Sequence, residues 1–171
     1  MDATQRRSST ERLAGLFDTH HERLFRLACR LSSDREEARD LVQEAFLRAA
    51  RQPGSVPDGD QPGEAWLVRT LVNLCRDRWR RLGVRSRVHA AMKQEDGTEH
   101  PERAAVIRAT VRAALEKLPP RRRAAIVLHE LDGLPVREVA RLLGIGEVTV
   151  RWHLLAARRE LAGVLGKEDR R

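Results

Sequence analysis

Residues 134–161 read LPVREVARLLGIGEVTVRWHLLAARREL, and their apolar spacing predicts two short helices that meet at a tight corner. Pro135 suits the opening of the first helix, because its missing backbone N–H costs nothing there. Gly144 can take the positive φ of a sharp helix end, and the small Ala140 lets a second helix cross closely. The second helix has its own apolar stripe, formed by Val150, Leu154, Ala157, Leu161 and Val164. The spacing therefore predicts a helix-turn-helix whose second helix is the recognition helix.

The residues of the second helix that lie off this stripe are expected to face outward. They are Glu147, Thr149, Arg151, His153 and Arg158. An ordinary helical hairpin in a bundle is the alternative, since any two amphipathic helices joined by Gly-Ile-Gly give a similar pattern. The small residue, the glycine, the isoleucine that fills the corner and the buried valine together favour the DNA-binding motif.

The composition is that of a folded protein with a polyanionic partner. The chain has 171 residues, of which 41% are hydrophobic, and its net charge is +8. This charge suits nucleic acid or, less well, an anionic membrane surface. Arginine supplies 30 of the 33 basic residues, but the same excess is common in proteins encoded by G+C-rich genomes. Charge alone therefore does not choose the partner.

Metal, disulfide and membrane functions are not indicated. Cys29 and Cys75 are far apart among apolar neighbours, so we expect buried reduced thiols rather than a disulfide framework. The six histidines lack metal-ligand spacing, and we expect no metal and no cofactor. No apolar run is long enough to span a membrane, and the first ten residues lack the apolar core of a secretion signal. We therefore expect no membrane insertion and a cytoplasmic location.

The first half of the chain predicts three helices. The first covers about 11–32, after ten polar residues that are expected to be frayed. Ser33 and Glu36 form a capping box that opens the second helix, which ends near Arg51. Residues 53–63 contain three prolines and three glycines, which predicts a loop.

A third helix follows over about 64–82, and its C-terminal part is rich in arginine. Residues 76–87 contain six arginines and one acid, with a tryptophan among them. Such a run is usually a solvated helix end, but aromatic residues among arginines are also what single-strand binders use to stack bases. The second interpretation is favoured here.

Periodicity is lost over residues 83–100, which mix charged and small residues as a linker does. Helical periodicity returns after Pro101, and Pro119-Pro120 ends one helix and opens another. Neither half shows the alternation of a strand. The predicted fold is all-α, with two small helical domains joined by a flexible linker. They cover 11–82 and 101–165, and the second contains the helix-turn-helix.

The chain resembles sigma factors of the sigma-70 family, in the small two-domain extracytoplasmic-function group. Residues 38–46, ARDLVQEAF, are similar to the AEDLVQEVF signature of region 2. Residues 65–67, AWL, with Asn73 and Asp77, are similar to a second region 2 pattern. The matches to region 4 are Leu118-Pro119-Pro120 with Arg123, Gly133, Glu138-Val139-Ala140 and Thr149-Val150. The resemblance covers roughly residues 12–162.

The resemblance implies three sets of functional residues. Core RNA polymerase would bind the polar face of the second helix, at Asp40, Gln43 and Glu44. The minus-10 element would be melted by loop 53–63 together with Arg69, Asn73, Arg76 and Arg80. The minus-35 element would be read by Arg137, Glu147, Thr149, Arg151, His153 and Arg158. The alternatives are an ordinary solvated face for the first set and a buried structural amide for Asn73.

The recognition helix departs from the family pattern. Many relatives have Lys/Arg-Ser-Arg after the valine and another arginine one turn later, where this chain has Arg151-Trp152-His153 and then Ala156. Two positive charges are missing, which puts the minus-35 contacts and sequence in question. Trp152 is expected to pack on the preceding helix.

Three classes of function are compared. The first is a sigma factor that binds core RNA polymerase and promoter DNA, with an anti-sigma factor as a further partner that the family implies. The second is a stand-alone helix-turn-helix regulator, which leaves residues 38–46 and the tryptophan-rich third helix unexplained. An enzyme is not expected, because no nucleophile, acid and base pair or phosphate-binding glycine loop occurs at a working spacing.

Overall fold

The computed structural model describes residues 3–32, 34–85 and 110–168, and the described residues form helices and short connections without a strand. Side chains are described for residues 10–32, 34–81 and 110–163. The helices are α1 (Ala3–Leu31), α2 (Arg35–Arg51), α3 (Asp60–Arg85), α4 (110–116), α5 (Pro120–Ile126), α6 (Val136–Leu143) and α7 (Glu147–Glu168), with a 3₁₀ turn at Pro53–Ser55 and a π-helical turn at Val127–Leu131. None of the described helices is long and apolar enough to cross a membrane.

Helices α1, α2 and α3 pack against one another as the first helical domain. The predicted beginning of α1 at about residue 11 was wrong, since the helix already begins at Ala3.

The predicted cap of α2 was wrong as well. Its N-cap is Asp34, whose carboxylate accepts a hydrogen bond from the backbone N–H of Glu37 at 2.7 Å. A carboxylate next to the helix N-terminus also interacts well with the helix dipole. Ser33 lies outside the described residues.

The loop between α2 and α3 is shorter than the sequence predicted. Helix α3 begins at Asp60 rather than near residue 64. Pro62 is accommodated because the N–H groups of a first helical turn have no partner within the helix. The chain reverses before this turn at Gly59, whose φ of 94° is in the left-handed region.

Helices α4 to α7 form the second domain around a core of fully buried aliphatic side chains. Gly144 has φ 64° and ψ 40°, which confirms the predicted left-handed end of α6. The backbone N–H of Ile145 then bonds to the carbonyl of Ala140 at 3.1 Å. Val150 is completely buried at the start of α7. The predicted helix-turn-helix is confirmed.

The two domains also pack on each other, which the sequence did not predict. Helix α3 contacts α5 and α6, and α1 contacts α5 and the π-helical turn, so that the buried apolar side chains form one continuous cluster. Apart from the last turn of α3, the predicted linker at residues 83–100 lies outside the described residues.

Candidate nucleic-acid and polymerase interfaces

The residues predicted to read DNA from α7 do not share one environment. Thr149 and Arg151 are exposed, and Arg151 forms an ion pair with Glu147 one turn earlier, at 2.9 Å. Arg158 donates to the carboxylate of Glu130 at 2.5 and 3.0 Å, which lowers the pKa of that carboxyl. Arg158 is thus partly occupied by a contact within the second domain.

His153 lies half-buried, and its Nδ1 atom is buried without a hydrogen-bond partner. Burial lowers the pKa of His153, and the neighbouring guanidinium groups of Arg122 and Arg121 lower it further. The neutral imidazole is therefore favoured, because a positive charge would be poorly solvated and would be repelled there. Arg137, on α6, is exposed.

The side of α7 that faces away from the core is apolar, which the sequence did not predict. Val148, Trp152 and Leu155 are 76%, 54% and 48% exposed. The expectation that Trp152 packs on the preceding helix was wrong. Its ring instead lies beneath the guanidinium of Arg122 on α5, whose carbon atom is 4.9 Å from the ring centroid. The i, i+4, i+7 spacing could have revealed this second stripe.

The four residues predicted on α3 are also divided. Arg80 is exposed, whereas Arg76 is half-buried, and its Nε atom forms an ion pair with Asp77 at 3.7 Å but no hydrogen bond. Arg69 lies against the second domain, where its Nη1 donates to the carbonyl of Arg141 at 3.4 Å. A Cβ atom added to Gly144 would come within 2.7 Å of the Arg69 side chain, so this contact requires glycine. Arg69 thus lies at a contact between domains.

Asn73 lines a cavity of about 380 Å³ between α2 and α3. The cavity is bounded by two rows of residues, each at i, i+4, i+7 spacing: Trp66, Thr70 and Asn73 on α3, and Glu44, Arg48 and Arg51 on α2, with Gln52 at the end of α2. An aromatic wall, a hydroxyl group, amide groups, guanidinium groups and the Glu44 carboxylate surround one space. This set can hold a planar base with its phosphate. The sequence prediction assigned Asn73 to this site and Glu44 to the polymerase interface, and it missed the other five lining residues.

The polar face of α2 is accessible to solvent. Asp40 and Gln43 are exposed, while Leu41 and Val42 on the opposite face are buried. Glu44 is half-exposed and forms ion pairs with Arg48 at 3.0 Å and Arg51 at 4.0 Å. Glu44 therefore lies at the boundary between the α2 face and the cavity.

Comparison with known proteins accounts for both domains. Residues 16–85 match the description "Sigma-70 region 2", and residues 108–161 match "Sigma-70, region 4". The ECF RNA polymerase sigma factor SigM of Mycobacterium tuberculosis is 38% identical over 153 residues, which cover 88% of this chain and 76% of SigM. The chain belongs to the sigma-70 family. The ECF sigma factor SigE of Mycolicibacterium smegmatis is 36% identical, over 98% of this chain and 67% of SigE.

Solved structures agree with this assignment. CnrH in complex with the cytosolic domain of CnrY has a TM-score of 0.65 and 26% identity, covering 96% of this chain and 95% of that chain. RpoE in complex with the anti-sigma factor NepR from Bartonella quintana has a TM-score of 0.64 and 25% identity, covering 88% of this chain and 94% of that chain. This chain is accordingly a sigma factor of the extracytoplasmic-function group, and it acts in promoter-specific transcription initiation.

In this sigma factor, charged groups join the region 2 domain to the region 4 domain. Arg141 of α6 donates to the carboxylate of Glu64 at 2.9 Å and to the carbonyl of Gln61 at 2.7 Å. Glu64 is almost fully buried, and Arg23 of α1 also pairs with it. Arg30 of α1 pairs with Asp132 after the π-helical turn. Basic groups of each domain are thus paired with acids of the other.

Proposed function

We propose that residues 11–82 bind core RNA polymerase and melt the minus-10 element, and that residues 101–165 read the minus-35 element. The observation that carries this proposal is the cavity between α2 and α3. A stand-alone regulator reads duplex DNA and has no need of a base-sized cavity away from its recognition helix. A subunit that opens DNA needs such a cavity, because an unpaired base must be held out of the stack.

The lining of the cavity suits this task. Trp66 offers a flat surface on which a flipped base can stack, and Asn73 and Gln52 can form hydrogen bonds with the edge of the base. Arg48 and Arg51 pair with Glu44 in the unbound chain, and on DNA binding they would exchange this carboxylate for the adjacent phosphates. Arg76 and Arg80 continue the positive surface along α3, whereas Arg69 becomes available only when α3 and α6 separate.

Separation of the two domains is required by the length of DNA between the two promoter elements. Positions minus 35 and minus 10 are about 25 base pairs apart, which is about 85 Å at 3.4 Å per pair. Arg141 of α6 and Glu64 of α3 are 2.9 Å apart in the structure. One chain therefore reaches both elements only after these helices move apart, and we expect binding to core polymerase to hold them apart.

Core polymerase is proposed to bind α2 through Asp40, Gln43 and Glu44. An anti-sigma factor is a further expected partner, as in the complex of RpoE with NepR. In this role the chain performs no catalysis itself. Because RNA polymerase works on chromosomal DNA, the proposal also places the chain in the cytoplasm.

The experiment compares the purified chain with the chain bound to core polymerase, on a promoter selected from a randomised library. We expect no specific duplex shift by the chain alone at physiological salt, because a single recognition helix neutralises few phosphates. With core polymerase we expect specific binding and permanganate-reactive thymines at minus 10. Tight specific binding by the chain alone, unchanged by polymerase, would support the stand-alone regulator instead.

A matched pair of variants tests the cavity in the same assay. Trp66→Ala should reduce permanganate reactivity roughly 5- to 150-fold, because stacking of one base contributes about 1–3 kcal/mol. Trp79 is exposed on the same helix, in the arginine-rich run outside the cavity lining. If the cavity rather than this run holds the flipped base, Trp79→Ala should reduce DNA opening much less than Trp66→Ala does. Equal effects of the two variants would argue against the cavity as the base site.

A further inference from the structure

Helix α7 has two apolar faces, and only one of them is used by the fold. Val150, Leu154 and Ala157 are buried in the region 4 core. Val148 and Trp152, with Leu155 one turn further on, point the other way and remain about half or more exposed. At 100° per residue the two sets lie on opposite sides of the helix. The second set, the outer stripe, therefore does not stabilise the described fold.

The outer stripe lies at the centre of the helix surface that a helix-turn-helix presents to DNA, because this surface is opposite the buried one. The polar residues are displaced from this centre. His153 is turned toward the core, and Arg158 is bound to Glu130. Val148 is in the first turn of α7, and the N-terminal residues of a recognition helix are those that contact base edges.

The surroundings of the outer stripe fit DNA better than an apolar protein partner. Arg151 and Arg159 are exposed beside it, and the Arg122 guanidinium covers one face of the Trp152 ring. These cations suit phosphates on either side of a groove. The stripe is also a convex surface of one helix, whereas docking of a partner helix usually uses a groove.

We infer that Val148 and Trp152 read thymines of the minus-35 element through their 5-methyl groups. The inference rests on the proposed role of region 4 and deepens it. Thymine is the only base that presents a methyl group in the major groove, and apolar side chains recognise it there. Apolar contact thus provides part of the recognition that many relatives obtain from arginines at the positions of His153 and Ala156. The minus-35 element of this sigma factor contains thymines opposite the first two turns of α7.

Replacement of thymine by deoxyuridine tests this directly, since it removes the methyl group and leaves base pairing unchanged. The assay measures promoter binding by the complex with core polymerase, with deoxyuridine introduced at each minus-35 thymine in turn. At one or two positions we expect about fourfold weaker binding, the value for loss of one buried methyl-sized group. At these positions Val148→Ala or Trp152→Ala should reduce the difference in binding affinity between promoters with thymine and with deoxyuridine to less than about twofold.

Two control variants accompany these. Val148→Thr keeps one methyl group in place and should retain most of the discrimination between thymine and deoxyuridine. Val111→Ala changes an exposed valine of α4 and should have no effect on it. The inference is wrong if promoters with deoxyuridine and with thymine bind equally well at every position. It is also wrong if Val148→Ala and Trp152→Ala still bind thymine more tightly than deoxyuridine by the same factor. In both cases region 4 can still read the promoter. If binding does not depend on the minus-35 sequence at all, the proposed role of region 4 fails as well. Circular dichroism should show unchanged helix content, because these side chains are exposed.

Discussion

Arg123 is the residue whose replacement should destabilise this protein most clearly. It is 4% exposed, and its guanidinium donates to the carbonyl of Leu31 at 2.6 Å, of Glu116 at 2.6 Å and of Leu118 at 3.2 Å. The first acceptor is the last residue of α1, and the other two precede α5. One side chain therefore connects the end of a region 2 helix with the beginning of region 4.

The cost of Arg123→Met follows from these three bonds. A hydrogen bond from a charged donor contributes about 1.5–3 kcal/mol, so the three together contribute about 4.5–9 kcal/mol. Burial of the guanidinium costs several kcal/mol, which methionine does not incur, and methionine keeps part of the apolar packing. The free energy of unfolding should therefore fall by about 3–5 kcal/mol, which is comparable to the loss when one partner of a buried ion pair is removed.

Urea unfolding followed by far-ultraviolet circular dichroism measures this loss. Arg121→Met is the matched control, because Arg121 is an exposed arginine on the same helix and its replacement should change the free energy of unfolding by less than about 0.5 kcal/mol. The free energy of unfolding of Arg123→Lys should lie between those of Arg123→Met and Arg121→Met, since lysine keeps the charge but not the planar fork of donors. A loss below about 1 kcal/mol for Arg123→Met would refute the reasoning.

Two further predictions concern titrating groups. The pKa of His153 in the folded chain is lowered from its ordinary 6.5. The neutral side chain therefore contributes fully to the free energy of unfolding above about pH 6.5, and this contribution is lost as the pH falls through the lowered pKa of the folded state. His153→Gln should therefore lose less thermal stability than the unmodified chain between about pH 7.5 and pH 5, and equal losses would contradict this. Burial, aided by Glu37, raises the pKa of Cys75 to about 12, so iodoacetamide should modify half-buried Cys29 first and Cys75 only on unfolding. Mass spectrometry of Cys29→Ala and Cys75→Ala distinguishes the two sites, and rapid labelling of Cys75 in the folded chain would contradict the prediction.

Local features of the sequence were sufficient for most of the helices. The end of α6 was predicted from Gly144, and its left-handed φ of 64° is what that position needs. The end of α2 at Arg51 and the start of α7 at Glu147 were predicted from the period of the apolar residues. Such signals lie within a few residues of one another, so they can be read without knowledge of the rest of the fold.

Helix starts were predicted less well. Ser33 and Asp34 both have side chains that can cap α2, and the choice of Asp34 depends on the exact backbone path after α1. Pro62 and the glycines near it predicted a loop, but the first turn of α3 tolerates proline. In each case the sequence allowed two local solutions.

The sequence by itself determined the all-helical fold, the helix-turn-helix and the membership of the sigma-70 family, because periodicity and motifs are properties of short segments. Only the tertiary structure decided that Arg123 binds the end of α1, that Arg69 lies against Gly144, and that Arg48 and Arg51 share a cavity with Trp66. It also decided which apolar face of α7 is buried. These features join residues that are distant in sequence, and a side chain's partner or exposure depends on which helices pack against it, which no local pattern specifies.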